Sequence, residues 1–112
     1  MDYWNILDEF VENGNLVIDR PKGHIHPKFP NTVYPVSYGF IENTTSMDKE
    51  GIDIFVGEDI IRKITGIICT ADRLKKDSEI KILYGCSSSE IENVMDFLNR
   101  TEMMKAIFVS RQ

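Results

Sequence analysis

Two strongly β-forming segments stand in residues 63–84, KITGIICTADRLKKDSEIKILY. The segments 63–70 and 79–84 are rich in β-branched and aliphatic residues, and a polar loop at 71–78 joins them. Further strands are predicted at 16–18, 33–41, 52–56 and 105–110. Short strands separated by polar loops predict a mainly β domain, built as a small barrel or as a strongly curved sheet.

Amphipathic helices are predicted near the two ends of the chain. Residues 2–12 carry apolar side chains at three- and four-residue spacings, and an Asn-Gly-Asn turn ends this helix. A second helix begins at Ser88 or Ser89 and carries the apolar stripe Ile91, Val94, Met95 and Leu98. The class is therefore α+β. Two expectations stay open for Tyr3 and Trp4: packing on the barrel, or a contact in a homo-oligomer.

The composition predicts one domain over residues 1–112, with a net charge of −5. Surfaces that bind nucleic acid usually carry an excess of basic residues, so no nucleic-acid partner is expected, and the acidic balance suits divalent cations. No apolar run reaches membrane-spanning length, and the opening Met1-Asp2-Tyr3-Trp4 lacks the basic start of an export signal. No membrane partner is expected, and Cys69 and Cys86 are expected to be reduced thiols in the cytoplasm.

Four aspartates lie in or beside the loops that join strands, at positions 48, 53, 72 and 77. Asp53 interrupts an apolar strand, and a buried carboxylate without a partner costs several kcal/mol, so it needs a cation or several hydrogen-bond donors. Magnesium prefers oxygen ligands, and two or three carboxylates from separate loops suffice to hold it. The alternative for Asp48, Asp72 and Asp77 is that each caps a turn and stays solvated.

The aspartates follow a recognisable pattern of neighbouring residues. The run Tyr34-Pro35-Val36-Ser37-Tyr38-Gly39-Phe40-Ile41 precedes Asp48-Lys49-Glu50-Gly51-Ile52-Asp53, and Gly66-Ile67-Ile68-Cys69-Thr70-Ala71-Asp72 is followed by Asp77. Upstream stands Asp19-Arg20-Pro21-Lys22-Gly23. These segments resemble the signature region of the soluble, family I inorganic pyrophosphatases, and the match covers roughly residues 17–84. The chain most resembles a shortened pyrophosphatase-like protein.

The resemblance implies a fold, a cofactor and a reaction. The implied fold is a five-stranded, OB-like closed barrel with an N-terminal and a C-terminal helix packed outside. The implied reaction is the hydrolysis of pyrophosphate to two phosphates with Mg²⁺ ions. The metal ligands implied by the match are Asp19, Asp48, Asp53, Asp72 and Asp77.

The resemblance also implies catalytic and substrate-binding residues. Glu50 stands at the position of an aspartate that helps to deprotonate the attacking water, and Tyr38 is expected to orient that water or a phosphate oxygen. Tyr34 is expected to support Tyr38, and Lys28 to grip phosphate. Arg20 is not implied by the match; with Lys22, Arg73, Lys75 and Lys76 it is a candidate to replace cationic contacts of the family that this chain lacks.

Departures from the family pattern leave two main functions open. Glu79 replaces a lysine that contacts phosphate, Arg73 replaces an acid and Gly51 replaces a proline, and no counterpart exists for a phosphate-binding arginine or for a C-terminal Tyr-Lys pair. The first function is a Mg²⁺-dependent hydrolase of phosphoanhydride bonds, with pyrophosphate as the default substrate. The alternative is a weak or inactive module that binds metal and a phosphorylated metabolite. A third hypothesis, an OB-like domain for single-stranded nucleic acid, is disfavoured by the net charge.

The histidines His24 and His26 stand two residues apart and face one side of an extended segment. This spacing suits a metal or a phosphate. Two solvated histidines are the favoured interpretation, because no third ligand is apparent in the sequence.

Overall fold

A computed structural model gives the fold, and it describes residues 1–111. These residues form two helices and six strands, in the order α1 (Tyr3–Asn13), β1 (Leu16–Arg20), β2 (Ser37–Ile41), β3 (Ile52–Val56), β4 (Ile64–Asp72), β5 (Asp77–Tyr84), α2 (Ser88–Asn99) and β6 (Met104–Ser110). The strands make one sheet in the order β1-β2-β3-β5-β4-β6. Only β3 and β5 pair in parallel, and the other neighbours are antiparallel. The mainly β class with two helices is confirmed.

The prediction of a five-stranded closed barrel is wrong. The sheet has six strands and stays open, with β1 at one edge and β6 at the other. The last strand, β6, pairs along β4 from Gly66↔Ser110 to Asp72↔Met104. It thereby occupies the edge of β4 that would have to meet β1 to close a barrel.

The strand ends also differ from the predicted bounds. The predicted strand at 33–41 is regular only from Ser37, because residues 23–34 fold back on themselves, with Ile25 bridged to Val33. The predicted loop at 71–78 is shorter than expected, because β4 and β5 continue until Asp72 stands opposite Asp77. These two aspartates therefore face each other across a tight turn.

Each helix covers one face of the sheet. Leu7 of α1 packs in a buried cluster with Ile41, Ile52, Ile54, Ile64, Ile67 and Ile82. On the opposite face, α2 contributes Val94 and Leu98 to a cluster with Val36, Phe55, Ile68, Leu83, Cys86 and Ala106. Burial of these aliphatic side chains is the main stabilising contribution to the fold.

Capping interactions set where the helices begin. Asp2 accepts a hydrogen bond from the backbone N–H of Asn5, and the side chain of Asn5 accepts from the backbone of Asp2 in return. Ser87 and Glu90 make the same reciprocal pair at α2, and the helix begins at Ser88, the first of the two predicted starts. Trp4 packs against the apolar face of the sheet, whereas Tyr3 is exposed.

The glycine of the Tyr-Gly pair has a packing role. A Cβ atom placed on Gly39 would overlap the carbonyl of Val17, since β1 and β2 approach closely there. Both cysteines are free thiols. None of the helices within residues 1–111 is long and apolar enough to span a membrane.

Candidate functional site

The two tyrosines of the Tyr-Pro-x-x-Tyr-Gly segment lie side by side on the α2 face of the sheet. Their ring centroids are 5.7 Å apart, and the ring of Phe97 from α2 lies 4.9 Å from that of Tyr34. Nη1 of Arg20 donates a 3.2 Å hydrogen bond to the Tyr34 hydroxyl. Three residues expected to bind substrate, Arg20, Tyr34 and Tyr38, are thus brought together.

The carboxylate of Asp53 has a cationic partner that the sequence analysis missed. Nζ of Lys81 lies 2.8 Å from Oδ2 of Asp53 and donates a 2.9 Å hydrogen bond to the Tyr38 hydroxyl. The pair is fixed by strand register, because β3 and β5 run in parallel with Asp53 opposite Lys81. Side-chain exposure is 7% for Lys81 and 16% for Asp53, so the pair is largely removed from water.

The sequence did contain a signal for Lys81. In Glu79-Ile80-Lys81-Ile82, the charged residues alternate with isoleucines, which places both charges on one face of a strand. A charged face on a strand in the middle of a sheet indicates a functional or paired group.

Further acidic side chains lie along the same face of β5. Oε2 of Glu79 and Oδ1 of Asp77 are buried and have no hydrogen-bond partner. Burial raises the pKa of the Glu79 carboxyl, Lys81 opposes that effect, and the negative charges of Asp53, Asp48 and Asp77 add to it. The negative charges of three predicted metal ligands, Asp48, Asp53 and Asp77, therefore act on the Glu79 carboxyl.

Two predicted ligands have local hydrogen bonds of the turn-capping kind. Oδ1 of Asp48 accepts from the Ser46 hydroxyl at 2.7 Å and from the backbone N–H of Glu50 at 2.9 Å. The Ser46 hydrogen bond is the main cause of the lowered pKa of Asp48. Oδ1 of Asp72 accepts from the backbone N–H groups of Leu74 and Lys75, at 2.9 and 3.0 Å. These contacts hold the two turns and leave the second oxygen of each carboxylate for other partners.

The remaining predicted site residues are exposed. Asp19 lies where the β1–β2 register shifts, between Ile18 and Arg20. The Glu50 side chain is exposed in the loop before β3, and Lys28 is exposed in the loop between β1 and β2.

The acidic side chains do not fit a Mg²⁺ site in this arrangement. Across the 111 described residues, no group of three or more His, Cys, Asp or Glu side chains is placed to hold a metal ion. Asp53, one of the metal ligands that the match implies, already has the Lys81 ammonium as its partner. The histidines are used differently: His26 stacks against Tyr34 at 6.4 Å, and its Nδ1 accepts from the Lys28 backbone at 3.1 Å.

Positive charge collects around His26, which stacks against Tyr34. We use "cationic patch" for Arg20, Lys28 and Arg100. Nη2 of Arg100 donates to the Thr32 hydroxyl at 2.9 Å, and Cζ of Arg20 lies 5.5 Å from the centroid of the Tyr34 ring.

The three cations of the patch act together on His26. Partial burial lowers the pKa of His26, and the charges of Arg20, Lys28 and Arg100 lower it further. Within residues 1–111, none of the three forms a salt bridge. Arg100 follows α2 in sequence, far from the motifs, so no sequence pattern points to it as a binding residue.

The chain is similar to proteins named inorganic pyrophosphatases. The inorganic pyrophosphatase of Yersinia pestis is 27% identical over 106 aligned residues, covering 85% of this chain and 56% of that protein. The structure of an inorganic pyrophosphatase from Neisseria gonorrhoeae matches with a TM-score of 0.60 at 14% identity, covering 80% of this chain and 77% of that one. This chain resembles a shortened inorganic pyrophosphatase. A structure described as an inorganic phosphatase from Anaplasma phagocytophilum matches with a TM-score of 0.57 at 16% identity, covering 85% of this chain and 81% of that one.

The likeness to a shortened pyrophosphatase has limits. No family model matches the chain. The chain spans about half the length of the curated Yersinia relative, 56%. In this pyrophosphatase-like chain the lysine of β5 stands at position 81 and an acid stands at position 79, where the family pattern has lysine. Both side chains lie on the same face of β5, and Lys81 is the one that stands opposite Asp53.

Proposed function

We propose that the chain binds a small phosphorylated anion, pyrophosphate in the first instance, and hydrolyses it weakly or not at all. The observation that carries the proposal is the cationic patch beside Tyr34. Arg20, Lys28 and Arg100 keep positive charge without an acidic partner in the described residues, on a chain whose net charge is −5.

The patch suits a phosphate group for a chemical reason. A guanidinium group presents several N–H donors in a planar fork that matches phosphate oxygens, and a lysine ammonium adds a point charge. Arg20 and Arg100 are partly oriented by Tyr34 and Thr32, so less side-chain entropy is lost on binding. Weak turnover is proposed because Asp53 is paired with Lys81 and is not free for a metal.

Calorimetric titration with pyrophosphate, in the presence and absence of Mg²⁺, tests the binding. We expect Arg20→Gln and Arg100→Gln each to weaken binding by about tenfold or more, since a hydrogen bond to a charged group contributes about 1.5–3 kcal/mol. Lys105→Gln is the matched control, because Lys105 is exposed on β6 and pairs with Glu102. Equal affinity for pyrophosphate in the wild type and all three variants would show that the cationic patch does not bind pyrophosphate.

Mg²⁺-dependent hydrolysis of pyrophosphate is the second candidate. It is favoured by the negative charges of Asp48, Asp53 and Asp77, which all act on the Glu79 carboxyl, together with the likeness to proteins named inorganic pyrophosphatases. For this candidate the proposed catalytic residues are Glu50 and Tyr38, and the proposed metal ligands are Asp19, Asp48, Asp53, Asp72 and Asp77. It requires Asp53 to give up its present partner.

A phosphate-release assay separates the two candidates. Multiple turnover by the wild type with Mg²⁺, lost in Asp53→Asn and in Asp77→Asn, would establish the second candidate and reject weak turnover. Equal phosphate release by the wild type and both variants would identify a contaminating enzyme. Binding of pyrophosphate without release is the expected result.

A further inference from the structure

We infer that the Lys81 ammonium is a built-in cation that takes the place of a divalent metal ion among the carboxylates of β3 and β5. The chain therefore holds no tight Mg²⁺ at this position. This inference depends on the buried Asp53–Lys81 pair and stands whether or not the proposed anion binding is correct.

Geometry places the ammonium where the carboxylates need a cation. Nζ of Lys81 is 2.8 Å from Oδ2 of Asp53 and 2.9 Å from the Tyr38 hydroxyl, so two of its three N–H donors are used. The backbone of β5 is paired on both sides, by β3 and by β4. The Lys81 backbone therefore cannot shift without breaking the sheet, and the ammonium stays within reach of the same oxygens.

Two further acidic side chains on β5 have a buried oxygen without a hydrogen-bond partner. Glu79 is 9% exposed and its Oε2 has no partner, and the buried Oδ1 of Asp77 has none either. These oxygens are the ligands that Mg²⁺ prefers. A divalent ion placed against Asp53 would meet the ammonium at close range, and the mutual repulsion excludes it.

Removal of the ammonium should raise the affinity of these carboxylates for a divalent ion. Lys81→Met keeps most of the side-chain volume and leaves the carboxylates without their cation. We expect Lys81→Met to bind Mg²⁺ at least about tenfold more tightly than the wild type in calorimetric titration, which is 1.4 kcal/mol. The melting temperature should rise with added Mg²⁺ in Lys81→Met and stay unchanged in the wild type.

Two further variants identify the ligands. Lys105→Met makes the same change of net charge at an exposed lysine of the edge strand β6, which pairs with Glu102, and should bind Mg²⁺ as the wild type does. Lys81→Met with Asp53→Asn should lose the affinity that Lys81→Met gained, because the main carboxylate is gone. If Lys105→Met gains as much affinity as Lys81→Met, net charge and not the place of Lys81 is responsible, and the inference fails.

The wild type supplies a test that does not depend on how the variants fold. Mn²⁺ broadens the NMR signals of nuclei near its binding site. We expect no selective broadening of the Asp53 and Lys81 amide signals in the wild type at low Mn²⁺ concentration. Selective broadening there, or equal Mg²⁺ affinity in the wild type and a folded Lys81→Met, would overturn the inference. Loss of pyrophosphate binding alone would count only against the proposed anion site.

Discussion

The buried pair of Asp53 and Lys81 predicts a large coupling in protein stability. Both side chains are mostly inaccessible to water, at 16% and 7% exposure, so removal of either one leaves the other charged group buried without a partner. Breaking a buried pair in this way costs about 3–5 kcal/mol. The free energy of unfolding of a small domain is about 5–15 kcal/mol, so a single substitution removes a large share of it.

A double-mutant cycle isolates the interaction. We expect Lys81→Met and Asp53→Asn each to lower the free energy of unfolding by about 3 kcal/mol. The loss of unfolding free energy in the double variant should be smaller than the sum of the two single losses by about 2 kcal/mol or more, because neither a buried carboxylate nor a buried ammonium is left without its partner. Part of the loss persists in the double variant, because the Tyr38 hydroxyl has lost the lysine that donates to it.

Urea unfolding followed by circular dichroism measures all four proteins of the cycle. The urea concentration at the midpoint gives the change in the free energy of unfolding. An unchanged m-value, the slope of that free energy against urea concentration, shows that the unfolded states are comparable. Losses that add to within about 0.5 kcal/mol would show that the two residues do not interact, and the argument from the buried pair would be refuted.

Three further predictions follow from contacts outside this pair. Arg111 donates two hydrogen bonds of 2.8 Å to Asp8 and lowers the pKa of that carboxyl below its usual 3.8, so the ion pair stabilises the fold above pH 3.8 and this contribution is lost on acidification. In urea unfolding, Asp8→Asn should lower the free energy of unfolding by about 1 kcal/mol at pH 7 and by progressively less below about pH 4. Gly39→Ala should lower the free energy of unfolding by about 3 kcal/mol, because the new Cβ overlaps the Val17 carbonyl, and an unchanged urea midpoint would contradict the close approach of β1 and β2. Burial raises the pKa of the Cys86 thiol to about 12, so it should resist a thiol reagent at pH 8 until the protein is denatured, and rapid labelling of Cys86 in the folded protein would contradict its burial.

The elements of the fold could be predicted from sequence better than their assembly. β-branched runs located the strands, and apolar spacings located both helices, because these signals are local. The open sheet could not be predicted in this way, because it depends on which partner reaches the outer edge of β4. That partner is β6, which is distant in sequence from β4, and the residues that predict β6 as a strand do not indicate which strand it pairs with.

Asp53 shows where local reasoning about the site ends. A carboxylate within an apolar strand needs a positive partner, and that requirement follows from the sequence alone. The identity of the partner follows from topology: β4 passes to the outside and β5 returns between β3 and β4, which sets Lys81 opposite Asp53 in parallel register. A metal ion and an ammonium satisfy the same electrostatic requirement, and only the register of β5 distinguishes them. In this chain the positive charge beside Asp53 is the Lys81 ammonium, and the parallel register of β3 and β5 holds it there.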